Sequence, residues 1–154
     1  METKVDATVI VLGYNAEFCS MYSDLFRIIV IEDRKKEVKV SKPNVTLLEF
    51  PILDDNCYNV ASKLLSDDEV VFYLSTHDSI PIQDLNKMRL RMQKANREYS
   101  ARAFCVMVKA DKGSIYQARA SIGHGFMFGT NPPKPLKNLA YISEDLFITH
   151  KKGE

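Results

Sequence analysis

The sequence predicts an α/β fold in three layers, with helices on both faces of a sheet of about six mainly parallel strands. Two observations carry this. Short apolar runs, VIVL from Val9, IIVI from Ile28, VVFYL from Val70 and AFCVMV from Ala103, alternate with segments of helical spacing. An unbroken apolar run is what a strand buried on both faces looks like. The first two runs also flank a turn at Gly13 and a short helix, and the second ends in the acid pair Glu32-Asp33. An acid roughly twenty residues past a glycine turn is the Rossmann-like arrangement, in which the turn holds a phosphate and the acid a ribose hydroxyl.

Taken in order, the polar stretch from Met1 to Asp6 precedes the first strand, and the helix after Gly13 is expected to run to about Phe26. The charged run from Arg34 to Lys39 predicts a solvated turn or hairpin. Pro43-Asn44 punctuates the chain before VTLLEF, Val45 to Phe50, the third strand. Asp54-Asp55 are placed to cap a short helix in which Val60, Ala61, Leu64 and Leu65 recur at helical spacing. Val70 to Leu74 is the central strand. Asp78 and Ser79 are candidate caps for the helix that follows, with Pro81 where a first turn tolerates it. Ile82, Leu85, Met88, Met92 and Ala95 form that helix's apolar stripe, and Lys87, Arg89, Arg91, Lys94 and Arg97 lie on its other faces. Ala103 to Val108 is the fifth strand. A short helix is expected over Ser114 to Ile122, stopped by Gly123-His124-Gly125, and Phe126-Met127-Phe128 is expected as the sixth strand. These observations place the Rossmann-like domain at residues 1–130. Residues 131–154 are expected to be a stiff exit through Pro132, Pro133 and Pro135, then an amphipathic helix through Leu136, Leu139, Ala140, Ile142 and Leu146 that covers the sheet or docks on a second subunit.

Composition narrows the function. At 154 residues and 45% hydrophobic content the chain can build one core. A formal charge of +1 with both signs interspersed gives no field for nucleic acid or an anionic membrane. Cys19, Cys57 and Cys105 are odd in number and have no paired spacing, so they predict core filler in a reducing, cytoplasmic setting. No apolar run reaches the length of a membrane span, which predicts no direct membrane insertion.

Ligands of a parallel α/β sheet bind beyond the carboxyl ends of its strands. Those ends are Gly13 to Asn15, Glu32-Asp33, Pro51 to Asp54, Ser75 to Asp78 and Lys109 to Asp111. The candidate nucleotide-binding residues are therefore Gly13, Asn15, Glu32, Asp33, Asp54, His77 and Asp78. The turn reads Gly13-Tyr14-Asn15-Ala16-Glu17-Phe18 where a dinucleotide fingerprint has G-x-G-x-x-G. Phe18 takes the place of the glycine that admits close helix packing, and Glu17 brings negative charge to any phosphate. His77, His124 and His150 have no partners at metal-ligand spacing. His77 and Asp78 are the best acid/base candidates, but no nucleophile neighbours them in sequence. The sequence predicts a protein that is not an enzyme, has no metal site, and names no cofactor.

From Thr8 to about Asp145 the chain resembles the regulator-of-potassium-conductance (RCK or KTN) domain. VIVLGYN looks like that family's first strand and turn, RIIVIEDRKKEV like its second strand with a terminal acid, and EVVFYLSTHDS like its fourth strand and polar loop. ARAFCVMVKADKGSIYQARASIGHGFMF is similar to its strand, helix, glycine and strand order. The resemblance implies an all-parallel sheet, Gly13 and Asn15 at a phosphate turn, and Glu32 or Asp33 at a ribose. It also implies paired subunits that control a potassium channel or transporter through a separate partner chain. A weaker resemblance is to a small GTPase that has lost its chemistry. GYNAEFCS has the length of G-x-x-x-x-G-K-S but keeps only Gly13 and Ser20, which implies an inactive protein-interaction module. That fold requires antiparallel pairing between Arg27 to Asp33 and Val45 to Phe50. A third, fainter resemblance, in FYLSTHDSIPIQDLNKMRLRMQK followed by ARAFCVMVKAD, is to the nuclease-like domain of the Rad10 DNA-repair family; the near-neutral charge argues against nucleic acid as a partner.

Overall fold

The structure is a computed structural model that describes residues 6–40, 42–54, 56–123, 139–142 and 145–151. Its elements in chain order are β1 (Ala7–Leu12), α1 (Ala16–Tyr22), β2 (Arg27–Asp33), β3 (Val45–Phe50), α2 (Asn56–Ser62) and β4 (Val70–Ser75). They continue with β5 (Asp78–Ser79), α3 (Ile82–Tyr99), β6 (Ala103–Ala110), β7 (Gly113–Ile122), β8 (Leu139–Tyr141) and β9 (Phe147–His150). The described strands form one sheet of nine in the order β3-β2-β1-β4-β7-β6-β9-β5, with β8 also on β6.

The first half follows the expectation. β1, β2, β3 and β4 are parallel, with Val9 opposite Ile28 and Phe72 and Ile29 opposite Thr46. β2 and β3 thus pair in parallel, not in the antiparallel sense that the GTPase resemblance implies. Val9, Ile10 and Val11 are wholly buried, as a strand covered on both faces requires. One face carries α1 and α3, with Phe18, Tyr22, Leu85, Met88 and Met92 packed on Val9, Phe72 and Phe104. The other carries α2, with Cys57, Tyr58, Ala61 and Leu65 on Ile10, Ile29 and Tyr73. The stripe on α3 is realised, because Leu85, Met88 and Met92 are buried while Lys87, Arg91, Lys94 and Arg97 are not. Burying each such side chain stabilises the fold by about 1.5–3 kcal/mol.

Beyond β4 the expectation of about six mainly parallel strands gives way to a mixed sheet. The segment expected as a helix from Ser114 is β7, antiparallel to both β6 and β4. Asp111-Lys112 makes a two-residue hairpin loop, and Gly113 at φ +134 supplies a backbone angle that other residues rarely adopt. A hairpin satisfies the hydrogen bonds of both strands locally, so tertiary pairing overrides the helix preference of Ala118-Arg119-Ala120. The expected strand at Phe126–Phe128 lies outside the described residues. So does most of the expected C-terminal helix, but its described residues Leu139–Tyr141 form β8, parallel to β6, and Phe147–His150 form β9, also parallel to β6.

Three smaller expectations are also corrected. α1 stops at Tyr22. Val60 and Leu64 are exposed on α2 and on the turn after it, leaving Ala61 and Leu65 to bury. Asp78 and Ser79 do not cap α3, whose N-cap is Pro81 without a side-chain bond. They form β5, which pairs with β9. Because β5 begins two turn residues after β4 yet lies at the far end of the strand path, the sheet curls back on itself there. β3 is left at the opposite end of the path, with no described strand on its outer side.

Candidate functional site

The carboxyl ends of β1 and β2 bring together four of the seven candidate residues. Gly13 takes φ +94, and its N–H donates to the Ile31 carbonyl at 2.7 Å, which tethers the turn to β2. A Cβ there would lie 3.5 Å from the Thr76 methyl group, so the turns after β1 and β4 are neighbours. Glu32, at the end of β2, is 3% exposed. Its carboxylate accepts from the Tyr14 N–H at 3.0 Å and the Asp33 N–H at 2.8 Å, with the Lys36 ammonium 3.9 Å away. Asn15 caps α1, its side-chain oxygen accepting from the Phe18 N–H at 3.0 Å. Asp33 closes a local turn by accepting from the Lys35 N–H at 2.9 Å.

The consequence for a phosphate is direct. An anion at such a turn needs free N–H groups, and here Tyr14 and Phe18 donate theirs to Glu32 and Asn15. The acid expected at a ribose is turned inward as a tie between two loops. Beside the turn, the cleft lined by Tyr14, Ala16, Cys19, Ser20, Lys42 and Val45 holds about 130 Å³, against the roughly 300–1,000 Å³ of a typical ligand pocket. Burial pushes the Cys19 thiol above its ordinary pKa, outweighing the bond to Asn15 and the charge of Lys42, which disfavours the thiolate needed for nucleophilic work.

The other three candidates stand apart. Asp54 lies just before α2, its carboxylate accepting from the Asn56 N–H at 3.0 Å. His77 is in the turn after β4, and its carbonyl accepts from the Lys151 N–H at 2.9 Å. Asp78 is the centre of a buried polar cluster. One of its carboxylate oxygens lies 2.6 Å from the Arg119 guanidinium and accepts from the Ser75 N–H at 2.8 Å; the other lies 2.7 Å from His150 Nδ1. Arg119 also donates to the Tyr73 carbonyl at 3.1 Å and to Gln117 at 2.8 Å. Burial alone would raise the Asp78 pKa. The charge and hydrogen bond of Arg119, with the bonds from His150 and Ser75, outweigh it and hold the carboxyl below the ordinary carboxylate value.

Arg119 is not singled out by the sequence, and His150 is weighed there only as a metal ligand. They come from β7 and β9, and only the curl of the sheet brings them to Asp78. One signal was present for Arg119, a single charge set between two alanines. A histidine on a carboxylate is how a general base is oriented, yet among the described residues no serine or cysteine bonds to His150. Its ring lies edge-on to His77, the centroids 6.0 Å apart.

Elsewhere, a cleft of about 410 Å³ lies between α3 and β8, lined by Ala95, Phe104, Ala140 and Ile142 and bounded by Arg91 and Asp145. Those two form a bidentate pair, both bonds 2.9 Å. None of the seven candidates lines it. Among the described residues, no group of three or more histidine, cysteine or acidic side chains is placed to hold a metal ion. No described helix is long and apolar enough to cross a membrane. The chain matches no protein-family model and no curated protein.

Proposed function

We propose that this chain is a non-enzymatic regulatory domain that acts by contact with a protein partner or second subunit. The observation that carries this is the Glu32 carboxylate on the Tyr14 N–H, which fills from within the place a nucleotide phosphate or ribose takes in a Rossmann-like sheet. The Asn15 cap removes a second donor. The resemblance to the RCK domain gives this reading its specific form, control of a potassium channel or transporter through a separate partner chain. The parallel order β3-β2-β1-β4 with a glycine turn after β1 supports that form; the antiparallel β7 is a feature that the family pattern does not have.

The test is thermal unfolding with NAD, ATP, a cyclic nucleotide, GTP or calcium. A ligand that binds the native state at one hundred times its Kd adds about 2.7 kcal/mol of stability. For a chain of this size that is a rise of roughly 5–11 °C in Tm. The expected result is no rise with any of them. A saturable rise with one would overturn the self-filled turn and return the site to ligand binding.

A further inference from the structure

We infer that the open edge of β3 is a dimerisation surface, on which β3 of a second copy of this chain pairs antiparallel across a two-fold axis. This goes beyond the proposed function and does not depend on it. The backbone sets the geometry. The Asn44 carbonyl accepts from the Ile28 N–H and the Phe50 carbonyl from the Arg34 N–H, both at 3.0 Å, so even-numbered positions of β3 point their backbone groups toward β2. Strand alternation then turns the backbone groups of Val45, Leu47 and Glu49 outward. The Val45 N–H is already bonded to the Lys42 carbonyl at 3.2 Å, while those of Leu47 and Glu49 face away from the sheet. The six residues of β3 carry a single charge, no proline and no lysine, and among the described residues no strand pairs with its outer side.

The two-fold follows from the outward set. In antiparallel pairs, outward residues face outward residues, so an axis through Leu47 sets Leu47 opposite its own copy and Val45 opposite Glu49. Charge then selects this partner. Val45 lines a cleft together with Lys42, so each Glu49 comes to lie beside the Lys42 of the other copy. Among the described residues, neither side chain has an ion pair within its own chain.

The other face fits the same axis. Tyr58 donates to the Leu74 carbonyl, so that flank of α2 faces β4. Helical spacing then puts Val60, 42% exposed, on the flank away from β4 and so on the β3 side, and Leu64 in the turn after α2 and Ile52 just after β3 are 65% and 71% exposed. An axis perpendicular to the sheet keeps both copies of α2 on one face, so these apolar side chains approach their symmetry mates.

The test is sedimentation equilibrium of the full chain over a concentration series, for wild type, Glu49→Lys, Lys42→Glu, the double swap, and Glu49→Pro. Wild type is expected to show a monomer–dimer equilibrium. Glu49→Pro removes one outward N–H from each copy and raises the dimer Kd about tenfold or more, at a position whose N–H points away from β2. Each single charge swap weakens the dimer and the double swap restores it. Circular dichroism melts establish that each variant is folded. A wild type that stays monomeric to high concentration would overturn the proposal. So would a dimer unchanged by a folded Glu49→Pro, or single swaps that the double swap does not rescue.

Discussion

Asp78→Asn tests the claim that the curled end of the sheet is held by one buried charge cluster. The substitution keeps the shape and removes the charge. The Asp78 side chain is 0% exposed and Arg119 7%, so neutralising the carboxylate takes the Asp78 charge away from a buried guanidinium. Breaking such a pair costs about 3–5 kcal/mol. At roughly 2–4 °C per kcal/mol for a chain of this length, Tm should fall by roughly 6–20 °C. A domain with about 5–15 kcal/mol of stability survives this loss in the cold, so the variant can be measured. The pH dependence has a fixed sign. The folded-state pKa of Asp78 lies below its unfolded value, so its contribution is complete above the ordinary carboxylate pKa near 4 and is lost as pH falls through the folded value. Urea unfolding at pH 7, 4 and 3 should show a wild-type advantage that is full at pH 7 and shrinks below about pH 4. An Asp78→Asn variant within about 1 kcal/mol of wild type at pH 7, below the ordinary cost of an unsatisfied buried group, would refute the reasoning. So would an advantage that does not change on acidification.

Three other substitutions probe the packing and the backbone. Gly123→Ala should be poorly tolerated, because φ is +77 and a Cβ would overlap the backbone carbonyl of Asp67; strain and overpacking together predict about 2–5 kcal/mol in urea unfolding, and a loss under about 1 kcal/mol would show that the turn relaxes freely. Met88→Ala empties a wholly buried position under α3 and should cost about 2–5 kcal/mol, whereas Leu90→Ala on the exposed side of the same helix should change stability by no more than about 0.5 kcal/mol; equal effects would mean that the stripe is misplaced.

The parallel half of the molecule was legible because three of its four strands announce themselves locally. Val9 to Leu12, Ile28 to Ile31 and Val70 to Leu74 are apolar without interruption, which only burial on both faces explains, and the α3 stripe repeats at helical spacing over a long stretch. The antiparallel half was not legible. In β7, Ala118-Arg119-Ala120 has good helix propensity, and a register irregularity between Phe104 and Cys105 of the partner strand disturbs the alternation that would have marked a strand. The two-residue loop before Gly113 was the available signal. β5 and β9 are too short for any periodicity, since their existence depends on each other and on β6.

The same division runs through the candidate site. Gly13, Asn15, Glu32 and Asp33 fall at strand ends as the sequence indicates, because strand ends can be read from sequence, but what they do cannot. An acid at the end of a second strand looks alike whether it faces a ribose or the Tyr14 amide, and only the geometry shows Glu32 turned inward. Asp78 was picked as an acid/base candidate, yet its two strongest partners lie 41 and 72 residues away, a separation no local pattern spans. A charged group with partners so distant can be satisfied only after β7 and β9 have docked. Until then the Asp78 carboxylate must stay hydrated, because burying it without these partners is costly. The cluster therefore ties closure of the sheet to completion of its C-terminal strand, and Asp78→Asn should loosen β9 as well as lower the global stability. Amide exchange resolves the two effects: protection lost first at Ile148 and Thr149, with β1 and β4 still protected, is the expected order.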